Sequence, residues 1–124
     1  MIEIKVCEDI NVTEEYFKLN NIPFNNKSFL IRAMCKDKLL GYSLFEIDDK
    51  NITVLALSPE DDRLIADGIL RSTLHVGTER GVTAAFYGNK VSEKLLTDIN
   101  FLEDKETFKL KLQNLFSHCQ NCSI

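Results

Sequence analysis

The chain has 124 residues, of which 44% are hydrophobic, with 15 Lys and Arg against 19 Asp and Glu and a formal net charge of −4. A chain of this length makes one domain that buries roughly two thirds of the surface its unfolded form exposes, so a second domain has no room. An acidic chain with scattered cations argues against nucleic acid and an anionic membrane as partners, and no apolar run approaches the ~18 residues of a spanning helix.

Ile2–Val6 alternates Ile2, Ile4 and Val6 with Glu3 and Lys5, the pattern of a strand with one buried and one wet face and not of a signal-peptide core. A soluble cytoplasmic protein is the expectation. Residues 13–19 follow as a short helix, with Thr13 as its N-cap, Glu14 and Glu15 in its first turn, and Tyr16, Phe17 and Leu19 as its apolar face. Asn20, Asn21 and Pro23 end it, and Asn25-Asn26 marks a loop. Ser28–Cys35 and residues 39–47 read as strands around the polar turn Lys36-Asp37-Lys38, and a second polar turn leads to a strand at 51–57. These three make an antiparallel meander. Ile52, Val54, Leu55, Ala56 and Leu57 form the near-continuous apolar run of a strand buried on both faces, ended by Ser58-Pro59.

Projecting residues 64–80 at about 100° per residue gathers Ile65, Ala66, Ile69, Leu70, Thr73, Leu74, Val76 and Gly77 on one arc, with Asp67, Arg71, Ser72, His75, Thr78 and Glu79 on the other. Leu64 falls off the apolar arc and is assigned to the loop or first turn. Gly81 stops this helix, and residues 82–87 form a strand that a right-handed crossover sets parallel to 51–57. The helix N-terminus then lies beside the carboxyl end of a strand, where backbone N–H groups and the helix dipole hold an anion. Asn89 is expected to cap a further helix carrying Val91, Leu95, Leu96 and Ile99, and Phe108, Leu110 and Leu112 alternate in a final strand. The expected order is β-α-β-β-β-α-β-α-β, an α/β (α+β) mixed sheet with helices on its faces. It forms a single domain over residues 1–116, with a polar tail at 117–124.

Two stretches carry a resemblance to a known family. Asn89, Ser92, Leu95, Leu96, Asn100 and Phe101 stand in register with the pattern Asn-x-x-Ala-x-x-Leu-Tyr-x-x-x-Gly-Phe. Asn89, Leu95 and Phe101 are kept, while Ser92 replaces Ala, Leu96 replaces Tyr and Asn100 replaces Gly. Counting back from Glu79-Arg80-Gly81, residues Asp61, Asp62, Arg63, Leu64, Ile65 and Ala66 occupy the place of a loop Arg/Gln-x-x-Gly-x-Gly/Ala, of which Ala66 alone matches. With the element order, these stretches make the chain resemble the GCN5-related N-acetyltransferase (GNAT) superfamily over nearly its whole length.

The resemblance implies a GNAT-like acyl-CoA N-acyltransferase fold, acetyl-CoA bound in the splay between the fourth and fifth strands, and acetyl transfer to a small-molecule or peptide amine. It implies the backbone of Leu57 for pantetheine, Asp61, Asp62, Arg63, Leu64, Ile65 and Ala66 for the pyrophosphate, and Asn89 near the thioester. Glycine lets backbone approach phosphate closely, whereas Asp61 adds negative charge beside the ligand's own, so phosphate binding is expected to be weakened or rearranged. Arg63 is the cation available two residues on, with a solvated surface side chain as the alternative. Leu96 removes the phenol that would protonate the departing thiolate. Tyr87 is the nearest aromatic hydroxyl in sequence, and a structural tyrosine at a strand end is its alternative role. Glu46, Asp48, Asp49 and Glu60 are explained by turns and caps, so no general base is assigned. A non-catalytic binding or regulatory module on the same fold is the second reading.

His118-Cys119-x-x-Cys122 is the competing motif, because two sulfurs at this spacing converge on zinc or an iron-sulfur cluster, or cycle as a dithiol. A structural zinc needs four ligands, and Cys7 and Cys35 fall in strands, so the pair would have to be completed across a homodimer; two adventitious tail thiols are the alternative. No metal site is assigned. His75 lies on the polar arc of the long helix and reads as a surface residue.

Overall fold

The computed structural model describes residues 1–112. In them the elements run β1 (Ile2–Val6), α1 (Ile10–Leu19), β2 (Ser28–Cys35), β3 (Lys38–Asp48), β4 (Asn51–Ser58), α2 (Arg63–Glu79), β5 (Ala84–Tyr87), α3 (Glu93–Asp98), β6 (Leu102–Asp104) and β7 (Lys109–Leu110). One seven-stranded sheet holds them in the order β1-β2-β3-β4-β5-β7-β6. Strands β1 to β4 are an antiparallel meander, α2 is the crossover that sets β5 parallel to β4, and β7 returns antiparallel between β5 and β6. Lys36 and Asp49 take φ of 57° and 56°, the left-handed conformation that lets short polar turns reverse the meander.

Side-chain alternation in the strands divides the apolar residues between two cores. Ile31, Ala33, Phe45, Ile52 and Val54 face α2 and meet Ala66, Ile69, Leu70 and Leu74, a cluster extended by Leu95, Leu96 and Phe101 from the α3 region. Leu30, Leu44 and Ala56 face the other way and close around Phe17 of α1. The helical arc expected for α2 is the one buried, and Leu64 stands 86% exposed in the first turn. One polar contact crosses the larger core. Thr73 Oγ1 donates to the Ile69 carbonyl at 2.8 Å, so the 2.6 Å contact between the Ser43 and Thr73 hydroxyls takes its proton from Ser43.

Three expectations are corrected. First, α1 begins at Ile10 and is capped by Asp9, whose carboxylate accepts from the N–H groups of Asn11 and Val12 at 3.0 and 3.4 Å. Thr13 is buried inside the first turn with its hydroxyl on the Asp9 carbonyl, and Leu19 is 80% exposed, so Phe17 carries the packing. Second, α3 is capped by Ser92, which accepts from Leu95 N–H at 3.2 Å, and Asn89 sits exposed in the preceding turn. Third, the described residues hold one strand more than expected. The final strand shortens to β7, and β6 precedes it across a turn held by the Asp104 carboxylate, which accepts from Glu106 N–H and Thr107 Oγ1.

The end of the expected domain at residue 116, and His118, Cys119 and Cys122, lie outside the described residues. Among the described residues no helix is long and apolar enough to cross a membrane.

Gly41 fixes how closely β3, β4 and α2 approach. A Cβ there would stand 2.6 Å from Pro59 Cδ, 2.8 Å from Ile69 Cδ1, and closer still to the Ser58 carbonyl oxygen. Backbone cannot yield as a flexible side-chain end does, so Gly41→Ala is expected to cost about 1–3 kcal/mol through overpacking, read as a lowered urea midpoint.

Candidate functional site

The sheet opens at the carboxyl end of β4. Pairing of β4 with β5 stops at Val54 and Tyr87, and Gly88 N–H donates to the Val54 carbonyl at 2.8 Å before the chain turns towards α3. β4 itself runs on through Leu55, Ala56, Leu57 and Ser58, held among the described residues by β3 alone, with Leu57 opposite Ser43 and Ser58 opposite Tyr42. At the same point the β3–β4 register shifts. Phe45 pairs with Val54 and Leu44 with Ala56, leaving Leu55 as an extra residue on β4. Such a bulge bends a strand and increases its local twist, which carries β4 off the line of β5. The result is a wedge with one wall of strand backbone whose β5-side edge no strand pairs among the described residues.

The 17-residue helix α2 points its N-terminus at this end of β4. Asp62 caps it, its carboxylate accepting from Ile65 N–H at 3.2 Å while its carbonyl takes Ala66 N–H. The N–H groups of Arg63 and Leu64 are left for another acceptor, as the first helical donors always are. Glu60, Asp61, Asp62 and Arg63 are all exposed. Lys94, hydrogen-bonded at 2.9 Å, and then Arg63 hold the Asp98 carboxyl below the ordinary range. The one cation of the loop therefore has an acidic neighbour at the end of α3.

The structure places the expected residues unevenly around the wedge. The backbone of Leu57 lies in its wall, residues Asp61 to Ala66 form its rim and the first turn of α2, and Asn89 stands in the turn that closes the β5 side. Leu96 is fully buried. Sequence reasoning missed Tyr42, which cross-strand register sets beside Ser58; its hydroxyl accepts from Asn20 Nδ2 at 3.2 Å, and its ring meets Tyr16 edge-on with centroids 5.0 Å apart. Only the β3–β4 register brings that phenol to the end of β4, and no local motif signals it. Among the described residues no cluster of His, Cys, Asp and Glu could hold a metal ion.

Tyr87 is drawn elsewhere. Its ring packs in the larger core against Phe108, and its hydroxyl donates to Glu93 Oε2 at 2.9 Å, tying β5 to the first turn of α3. Burial, the Glu93 hydrogen bond and the charges of Glu93 and Asp104 push its pKa up to about 12. A phenol so weakly acidic is a poor donor to a thiolate. Because the folded value lies above the unfolded value near 10, Tyr87 contributes stability that is complete below about pH 10 and is lost as pH rises towards about 12. Tyr87→Phe should remove that alkaline component from the unfolding free energy and lower stability at neutral pH by about 1 kcal/mol, measured by urea unfolding across pH.

No protein-family model and no curated protein matches the sequence. Solved structures do. The ribosomal-protein-S18-alanine N-acetyltransferase from Escherichia coli aligns with a TM-score of 0.62 at 10% identity, over 88% of this chain and 88% of that one. An acetyltransferase of Bacillus subtilis in complex with CoA aligns at 0.57 and 11%, over 82% and 77%. The aminoglycoside acetyltransferase meta-AAC0020 from an uncultured soil metagenomic sample, in complex with sisomicin, aligns at 0.57 and 14%, over 84% and 91%. Likeness at these identities establishes architecture and not activity. The chain has the GNAT acyltransferase fold.

Proposed function

We propose that this protein is an acetyl-CoA-dependent N-acetyltransferase that takes the thioester into the wedge between β4 and β5 and passes the acetyl group to an amine of a small molecule or peptide. The observation that carries this reading is the unpaired carboxyl end of β4 beyond the bulge, set beside the N-terminus of α2. An amide-bearing pantetheine arm bonds to such a strand edge as an added strand would, with the backbone at Leu57 as its partner. The pyrophosphate then meets the N–H groups of Arg63 and Leu64 at the positive end of the helix dipole, within the segment from Asp61 to Ala66, and Asn89 borders the thioester. The Bacillus subtilis neighbour holds CoA on the same fold, which supports the ligand class.

The chemistry asks little of side chains. The amine nitrogen attacks the thioester carbonyl carbon, the carbon–sulfur bond breaks, CoA leaves as its thiolate, and the nitrogen loses its extra proton to water. A thiol of ordinary pKa near 8.5 is a good leaving group without an acid beside it, so Leu96 in place of a tyrosine is compatible with turnover. Positioning of the two reactants and polarisation of the carbonyl by backbone N–H groups supply the rate.

The Asp62 cap, together with Glu60 and Asp61, favours a second reading, a binding module on the same fold that holds no CoA. Calorimetric titration with CoA and acetyl-CoA separates the two. The enzyme reading expects saturable binding, and Asp61→Gln should tighten it about 2- to 5-fold, the equivalent of ~0.3–1 kcal/mol for one charge near a helix N-terminus. Absence of saturable binding at about millimolar ligand, a free energy of only ~4 kcal/mol, sinks it.

A further inference from the structure

β1 is an edge strand, paired with β2 on one side and with no strand on the other among the described residues. Edges of this kind attract a further strand, and proteins usually guard them with charges. The charges here have an unusual arrangement. In the five residues Ile-Glu-Ile-Lys-Val, Ile4 and Val6 pack against the α2-side core, and Ile2, on the same face by alternation, is 48% exposed. Glu3 and Lys5 stand on the opposite face, beside Met34 and Arg32 of β2. The strand is thus symmetric in polarity about Ile4 and antisymmetric in charge.

We propose that β1 is the interface between two copies of this chain, joined antiparallel about Ile4 across a two-fold axis. In that register Ile4 lies opposite Ile4, Ile2 opposite Val6, and Glu3 of each copy opposite Lys5 of the other. No neighbouring register does the same. A shift one way sets Glu3 opposite Glu3, a shift the other way sets Lys5 opposite Lys5, and the intermediate registers put apolar residues on the charged face. An isologous contact of this form closes on itself and adds no third copy at that edge.

The single chain leaves these charges poorly served. Lys5 Nζ is 3.7 Å from Glu3 Oε2 along the same strand, with side chains 71% and 64% exposed, a contact worth little in water. On its β2 side Lys5 has a like charge, Arg32, which has no hydrogen-bond or ion-pair partner among the described residues. Pairing places a carboxylate directly opposite each Lys5, twice in the symmetric contact, and a continuous sheet then runs through both β1 strands. Two strands separate β1 from β4, so both wedges stay open and the inference stands apart from the proposed activity.

Sedimentation equilibrium on the full chain tests it. A five-residue edge belongs to the transient class, so the mass should rise from one chain towards two between about 1 μM and about 1 mM. Lys5→Glu and Glu3→Lys, each setting like charges opposite each other, should remain monomeric alone and associate when mixed in equal amounts. The double variant Glu3→Lys, Lys5→Glu should dimerise again. A wild-type chain that stays monomeric to about 1 mM overturns the proposal, as does association that Lys5→Glu leaves unchanged or a double variant that fails to recover. Circular dichroism of each variant confirms the fold, which these exposed side chains do not support.

Discussion

The extra residue in β4 decides more than the direction of one strand. Above the bulge Ile52 and Val54 face α2; below it Leu57 does, while Ala56 joins the core under α1. In an unbroken alternation Ala56 would point at α2 and Leu57 at α1. Leu55 absorbs the change of phase, so both cores remain filled along the whole of β4 although the strand bends. The wedge beside β5 is therefore compatible with close packing on each face, because the irregularity is confined to backbone already leaving its neighbour.

At the head of α2 two demands oppose each other. Asp62 as N-cap stabilises the helix by about 1 kcal/mol and complements its dipole, but its carboxylate occupies a donor that an incoming phosphate would use. Glu60 and Asp61 extend the negative charge, and Arg63 shares its influence with Asp98. The helix is thus well supported without a ligand, and ligand binding relies on the two remaining N–H groups and on the strand edge.

Sequence periodicity exposed the elements whose burial is strongest. Ser28–Cys35, the apolar run of β4 and the arc of α2 were legible because their side chains must alternate or recur to fill a core, and Leu64 declared itself by breaking the pattern. Caps were harder: Asp9 and Thr13, or Asn89 and Ser92, serve equally well by chemistry, and packing of Phe17 and of Leu95 with Leu96 chooses between them. Leu102, Glu103 and Asp104 show no period, and β6 exists through its pairing with β7. The bulge hid within a run of apolar residues, since Val54 to Leu57 look alike on either face. The resemblance located the wedge, but the place of Tyr42 beside Ser58 followed only from register across strands.

The hydroxyl pair between Ser43 and Thr73 completes the relation of helix to strand. Each proton in it has one destination, Ser43 to Thr73 and Thr73 to the Ile69 carbonyl, and both groups are sealed from water. Sliding α2 by one turn, about 5.4 Å, would strand a buried hydroxyl at a cost of about 1–3 kcal/mol. Ser43 is also the residue opposite Leu57. The contact works as a depth stop, setting how far the head of α2 reaches along the free end of β4.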